Sequence, residues 1–173
     1  DLTRLGQSVW IDFIQRSFLT EAGLSRLVAD GVRGVTSNPT IFQKAIGESE
    51  DYDHQIRRLP LDISTEEAYE ALAITDITRA CDELRPVYDQ LDAHDGFVSL
   101  EVSPALAHDT TGTVTAAKRL FTAVNRPNLM IKVPGTLAGV PAIAELIGSG
   151  INVNVTLLFS VTNYRSVAAA YLK

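Results

Sequence analysis

Five short apolar runs, at 9–13, 34–38, 97–102, 129–133 and 151–157, recur along the chain, with a helical pattern between each and the next. Each run is strand-length, rich in bulky apolar side chains and bounded by turn residues. The helical patterns fall at about 20–29, in pieces over 41–59, at 64–90, 110–125 and 138–147, and Ser160 offers a cap for a last helix. Thr20 is a candidate N-cap and Gly31 a stop signal, while Ser64 followed by Glu67 reads as a capping box. Strands separated by helices call for parallel pairing, because each crossover returns the chain in the same direction.

Alternation within the runs narrows the architecture. Asp12 opposes Ile11 and Phe13, and Thr36 shares a face with Asn38. Ser99 and Glu101 oppose Val98, Leu100 and Val102. Met130 and Lys132 oppose Leu129, Ile131 and Val133, and Asn152, Asn154 and Thr156 oppose Ile151, Val153, Val155 and Leu157. A doubly wound sheet is covered on both sides, so its central strands should be apolar on both. A barrel is covered only outside, and its chemistry gathers at the carboxyl ends of the strands, where these polar residues cluster. The expected fold is therefore an α/β (β/α)8 TIM barrel. Only five of eight strands are visible, and a full barrel needs roughly 250 residues. The stretch 167–173 carries no Gly, Asn or Pro to end its helix, and the chain opens on Asp1 rather than Met. Residues 1–173 are accordingly expected to be the N-terminal part of a single barrel domain, with its C-terminal strands missing.

Composition excludes several classes of function. The 173 residues are 46% apolar and 21% charged, close to an ordinary globular domain. A net charge of −6 argues against non-specific binding to nucleic acid or an anionic membrane, while leaving room for a local basic pocket that takes a phosphorylated small molecule. No apolar run reaches the length of a membrane span and no signal-peptide pattern opens the sequence. Cys81 is alone, so no disulfide framework exists and a reducing cytoplasm is the expected compartment. His54, His94 and His108 are scattered without metal-ligand spacing, and neither metal nor cofactor is expected.

Lys132 is the only charge in the run 129–133. Desolvation in such surroundings disfavours the charged form of a lysine and frees its lone pair, which is how a protein makes an amine nucleophilic toward a carbonyl. The alternative is a strand lysine that snorkels to solvent or pairs with an acid. With the five strands side by side, Asp12, Asn38, Glu101, Lys132, Asn154 and Thr156 point into one mouth. Those types suit Schiff-base aldol chemistry: carboxylates move protons, amides orient substrate hydroxyls, and Thr156 holds a water or the amine. The protonated imine supplies the electron sink, so no metal is needed. Each residue also has a structural alternative. Asp12 caps a helix or pairs with Arg16, Asn38 before Pro39 is a turn residue, and Glu101 neutralises Lys132 as a structural ion pair. Asn154 and Thr156 hydrogen-bond across the interior without touching a ligand. One active site explains all six together.

The segment Gly34-Val35-Thr36-Ser37-Asn38-Pro39-Thr40-Ile41-Phe42 resembles the first signature of transaldolases. Leu129-Met130-Ile131-Lys132-Val133-Pro134-Gly135-Thr136, with Gly139 following, resembles the second, which holds the Schiff-base lysine. Asn152-Val153-Asn154-Val155-Thr156-Leu157-Leu158-Phe159-Ser160 is similar to the family's fifth-strand segment, and Gln43-Lys44-Ala45-Ile46 to the longer bacterial type, which sometimes occurs fused to a glucose-6-phosphate isomerase. The resemblance covers essentially the whole chain. It implies transfer of dihydroxyacetone from sedoheptulose 7-phosphate to glyceraldehyde 3-phosphate in the pentose phosphate pathway. In that scheme Lys132 forms the imine and Glu101 works through a water during imine formation and hydrolysis. Asp12 takes and returns the proton of the hydroxyl at the cleaved bond. Asn38 and Asn154 hold the dihydroxyacetone hydroxyls, Thr156 positions the water beside Glu101, and Thr36 and Ser37 shape the turn below the substrate. The family's phosphate-binding residues lie on later strands, so the expected partners are phosphorylated sugars and a C-terminal half of the same barrel. Two alternatives stay open: an aldolase of the fructose-6-phosphate aldolase kind that releases free dihydroxyacetone, and an inactive piece that needs its other half.

Overall fold

The computed structural model describes residues 2–172, apart from the side chain of Thr3. The strands are β1 (Trp10–Asp12), β2 (Gly34–Thr36), β3 (Val98–Glu101), β4 (Leu129–Pro134) and β5 (Val153–Thr156). Between and after them run α1 (Arg16–Thr20), α2 (Gly23–Ala29), α3 (Pro39–Glu48), α4 (Asp53–Ile56), α5 (Thr65–Gln90), α6 (Thr110–Val124), α7 (Gly139–Gly148) and α8 (Val161–Tyr171). The sheet order is β1-β2-β3-β4-β5, each strand beside its neighbours in sequence. A doubly wound sheet reverses its strand order at a switch point. This one does not, and together with the βα alternation it gives the first five units of a partial (β/α)8 barrel, as the alternation pattern predicts.

The chain divides into two compact units. The first holds the residues up to Val98 together with Arg126–Asn128. Within it β1 pairs with β2 in parallel, Asp12 opposite Thr36. Its core forms on α5, whose buried side chains Leu72, Ala73, Ile77, Ala80, Cys81, Leu84 and Val87 recur at helical spacing on one face. Ser64 and Glu67 complete the expected capping box: Glu67 N–H donates to Ser64 Oγ at 3.2 Å and Ser64 N–H to Glu67 Oε2 at 3.0 Å. Asn128, fully buried, donates from Nδ2 to the carbonyls of Cys81 and Gly96, each at 2.9 Å. No helix among the described residues is long and apolar enough to cross a membrane.

Burial first, then the Asp82 carboxylate, pushes the Cys81 thiol up to about 12. The thiolate is the reactive form. Cys81 is therefore expected to resist a disulfide reagent such as Ellman's at pH 8 and to react in step with unfolding as urea is added. Rapid labelling without denaturant is the opposing result.

The second unit holds Ser99–Asn125 and the residues from Leu129 onward. β4 and β5 pair in parallel, with Lys132 opposite Asn154 and Pro134 opposite Thr156. The alternation read from the sequence is present in β4: Leu129, Ile131 and Val133 are fully buried, whereas Met130 and Lys132 are half-buried. Asp109 caps α6, accepting from Gly112 N–H at 2.9 Å, and Ser160 caps α8, accepting from Asn163 N–H at 3.1 Å. α7 starts hard against the end of β4, where a Cβ on Gly139 would run into the Pro134 carbonyl oxygen.

Three expectations need correction. Thr20 does not start a helix at 20–29. It ends α1, its hydroxyl donating back to Arg16 O and Ser17 O, and Ala22 then turns left-handed at φ 60° before α2 begins. The helix after β2 begins at Pro39 rather than Ile41, because proline is well tolerated at a first helical position and Asn38 caps it. Leu157 lies outside β5: its φ of 60° ends the strand and its side chain is exposed.

Candidate active site

Lys132 and Glu101 come from neighbouring strands, joined by a hydrogen bond from Val102 N–H to Lys132 O at 3.2 Å. Pleating sends both side chains to the polar face, and Lys132 Nζ stands 3.4 Å from Glu101 Oε2, with side chains 14% and 17% exposed. That separation makes an ion pair but exceeds the 2.7–2.9 Å usual for a tight charge-assisted hydrogen bond. On the other side of β4, Asn154 lies opposite Lys132 in the β4–β5 register. Its amide donates from Nδ2 to Ser99 Oγ at 3.2 Å. Lys132, Glu101, Asn154 and Ser99 thus form one polar cluster within the second unit. Thr156, two residues beyond Asn154, anchors the end of β4 by accepting the Gly135 N–H at 2.8 Å through its carbonyl. Thr136 ties down the loop after β4, accepting from Gly139 N–H at 2.9 Å and donating to Ala107 O at 2.6 Å.

Asp12, Thr36 and Asn38 belong to the first unit. Asp12 ends β1 with an exposed side chain and faces the half-buried Thr36 in register. Its suggested partner Arg16 is engaged elsewhere: Arg16 Nε donates to the fully buried Asp76 at 2.8 Å, so the proposed Asp12–Arg16 pair gives way to Arg16–Asp76. Asn38 Oδ1 accepts the Ile41 N–H at 3.0 Å. That bond fixes which way its amide faces and leaves the NH2 end to donate. The structural alternatives for Asn38 and Glu101 are therefore real interactions, and each is compatible with a further role.

Ser99 is the residue that the sequence reading passed over. It shares the polar face of β3 with Glu101, is fully buried, and receives the amide of Asn154. The alternation in 97–102 carried the signal, but a serine in a strand has too many ordinary uses to be singled out.

An amine beside a carboxylate, with the Asn154 carboxamide in register next to it, is equipped to condense with a ketone and to shuttle the protons that condensation requires. Comparison with known proteins identifies the family. Residues 9–172 match the family model described as transaldolase/fructose-6-phosphate aldolase. A transaldolase of Thiobacillus denitrificans is 50% identical over 175 residues, covering 100% of this chain and 49% of the relative. Transaldolase 1 of Streptomyces avermitilis is 50% identical over 169 residues, covering 96% of this chain and 45% of the relative. A transaldolase of Thermobifida fusca is 50% identical over 173 residues, covering 99% and 47%. The chain spans about half the length of the curated relatives it matches. By the family model and these relatives alike, the chain belongs to the transaldolase/fructose-6-phosphate aldolase family.

Proposed function

We propose that the protein is a transaldolase that moves a dihydroxyacetone unit from sedoheptulose 7-phosphate to glyceraldehyde 3-phosphate through an imine on Lys132, in the cytoplasmic pentose phosphate pathway. The observation that carries this reading is the Lys132–Glu101 pair, 3.4 Å apart on the polar face of β3 and β4, with Asn154 in register beside the lysine. The relatives' shared name, transaldolase, supports it.

In this reading the Lys132 amine adds to the C2 carbonyl of the ketose. The resulting carbinolamine loses water as Glu101, through a bridging water held by Thr156, delivers a proton. Asp12 removes the proton from the C4 hydroxyl. The C3–C4 bond then breaks: its electrons move into the iminium to give an enamine, and the departing four-carbon unit leaves as an aldehyde. The enamine attacks the acceptor aldehyde, Asp12 returns its proton to the new alkoxide, and hydrolysis of the imine frees the product and Lys132. Asn154 and the NH2 end of Asn38 hold the hydroxyls of the three-carbon unit, with Thr36 shaping the floor beneath it.

The family's double description also covers aldolases that release free dihydroxyacetone. Product analysis of the full-length protein with and without an acceptor aldehyde separates the two. We expect turnover of the ketose phosphate to depend on the acceptor, with dihydroxyacetone released at only a small fraction of the transfer rate. Sustained release of one dihydroxyacetone per ketose cleaved, with no acceptor present, would replace transfer by simple aldol cleavage.

A further inference from the structure

The turn that follows Asp12 is held by side chains far away in sequence. α1 has five residues, too short to be stable by itself, and its N-cap Gln15 makes no side-chain capping bond. The first N–H groups of that helix are satisfied from elsewhere. Arg16 N–H donates to the Tyr52 hydroxyl at 3.2 Å, and Ser17 N–H to Asp51 Oδ2 at 3.1 Å. Asp51 in turn is lowered from its ordinary value, chiefly by its bond to Ser17.

The Arg16 side chain is pinned as firmly as its backbone. Nε donates to Asp76 Oδ1 at 2.8 Å and Nη2 to Gln55 Oε1 at 2.7 Å, while the guanidinium lies 4.4 Å from the centre of the Tyr52 ring. Gln55, on α4, is itself tied to α5, donating to Ala71 O at 3.1 Å and Thr75 Oγ1 at 2.9 Å. Tyr52 and Asp76 are fully buried. Burial first, then the charge of Asp76, holds the Tyr52 phenol well above its ordinary value, so the hydroxyl stays protonated. Burial also raises the Asp76 carboxyl, against the pull of Arg16.

Such an arrangement is a costly way to stabilise a fold, since a buried ion pair often gains no more than apolar side chains of the same size would. Its evident product is geometry. Between Asp12 and the clamped Arg16 lie only three residues, and the middle one, Ile14, is fully buried. β1 is itself only three residues long, and the Asp12 side chain is exposed, so the strand alone does little to fix the carboxylate.

We infer that Tyr52, Arg16 and Asp76 are positioning residues for Asp12: they lock the β1–α1 turn so that the carboxylate meets the substrate hydroxyl at one fixed place. This inference rests on the reading of Asp12 as the proton-transfer group in C3–C4 cleavage. It predicts a defect confined to that step, because imine formation at Lys132 does not involve Asp12.

The test is Tyr52→Phe in the full-length protein, which keeps the ring beneath Arg16 and removes only the hydroxyl, with Arg16→Lys as the second variant. Each should lower kcat by about tenfold, in line with the cost of a small misplacement of a reacting group. KM should stay within about twofold of wild type. The fraction of enzyme trapped as a borohydride-reduced substrate adduct should match wild type. A core variant, Leu84→Ala, destabilises the same unit without touching the clamp and should leave kcat per folded molecule unchanged. In a double-mutant cycle, adding Tyr52→Phe to Asp12→Asn should cost nothing further, because both act through one carboxylate. If both clamp variants keep wild-type kcat, or if their losses multiply with that of Asp12→Asn, the clamp does not position Asp12. If Asp12→Asn itself turns over at the wild-type rate, the reading of Asp12 falls, and the clamp inference with it. A crippled Asp12→Asn beside normal clamp variants overturns the clamp alone.

Discussion

Lys132→Ala is expected to abolish the borohydride-trapped adduct with a ketose phosphate and to lower turnover on the order of 10⁴-fold or more, the scale seen when a covalent nucleophile is removed. Alanine also strips Glu101 of its cation, so this variant cannot by itself separate a nucleophile from a structural counter-ion. Lys132→Arg does. A guanidinium keeps a positive charge beside the Glu101 carboxylate, 3.4 Å from Nζ in the native protein, but does not give up its proton to become a nucleophilic amine. If the lysine is there to balance Glu101, arginine should preserve most activity. If it is the imine-forming group, arginine should be as inactive as alanine while keeping a melting temperature closer to wild type. An adduct that still traps in Lys132→Ala, or near-normal turnover in Lys132→Arg, would defeat the covalent assignment.

The architecture was legible because period-two alternation and helix punctuation are local properties. Leu129, Ile131 and Val133 are fully buried where the pattern puts them, and the Ser64–Glu67 box and the Ser160 cap form as the spacing predicts. The misread segments are those whose stability is borrowed from elsewhere. A helix at 20–29 rests, in the sequence, on Thr20 as its cap. In the fold, α1 ends at Thr20, and its first N–H groups are bonded by Tyr52 and Asp51, which lie 34–36 residues away. No window of local sequence contains that partner. Leu157 kept the apolar beat of its run, yet a left-handed backbone there ends the strand.

The site divides in the same way. That Lys132, Glu101 and Asn154 share polar faces followed from alternation, but which polar residues meet depends on register, which a two-residue period leaves open. The observed register sets Asn154 opposite Lys132 and leaves Asn154 to donate to Ser99, a serine indistinguishable in the sequence from an ordinary strand residue. Arg16 shows the limit from the other direction. Four residues from Asp12 it is the obvious partner by proximity, and the fold sends it instead to Asp76, 60 residues on, because a buried carboxylate needs a cation more than an exposed one does.

Glu101→Gln is expected to lower kcat by about 10²- to 10⁴-fold, the range for loss of a positioned proton-transfer group. Glutamine keeps the shape of the side chain and an oxygen to accept from Lys132 Nζ, but it cannot carry a proton between water and the carbinolamine. The step affected should be imine formation and hydrolysis. Mixed rapidly with ketose phosphate and quenched with borohydride at successive times, Glu101→Gln should approach its trapped fraction far more slowly than wild type. Asp12→Asn should reach full trapping at the normal rate and fail at the later bond cleavage. The two carboxylates are thus distinguished by when their loss is felt. A purely structural Glu101 predicts a different outcome: with its charge gone, Lys132 loses its counter-ion, melting temperature drops, and the folded fraction still forms imine at the wild-type rate. Trapping by Glu101→Gln with wild-type kinetics would therefore assign Glu101 to the ion pair alone and leave proton delivery to water.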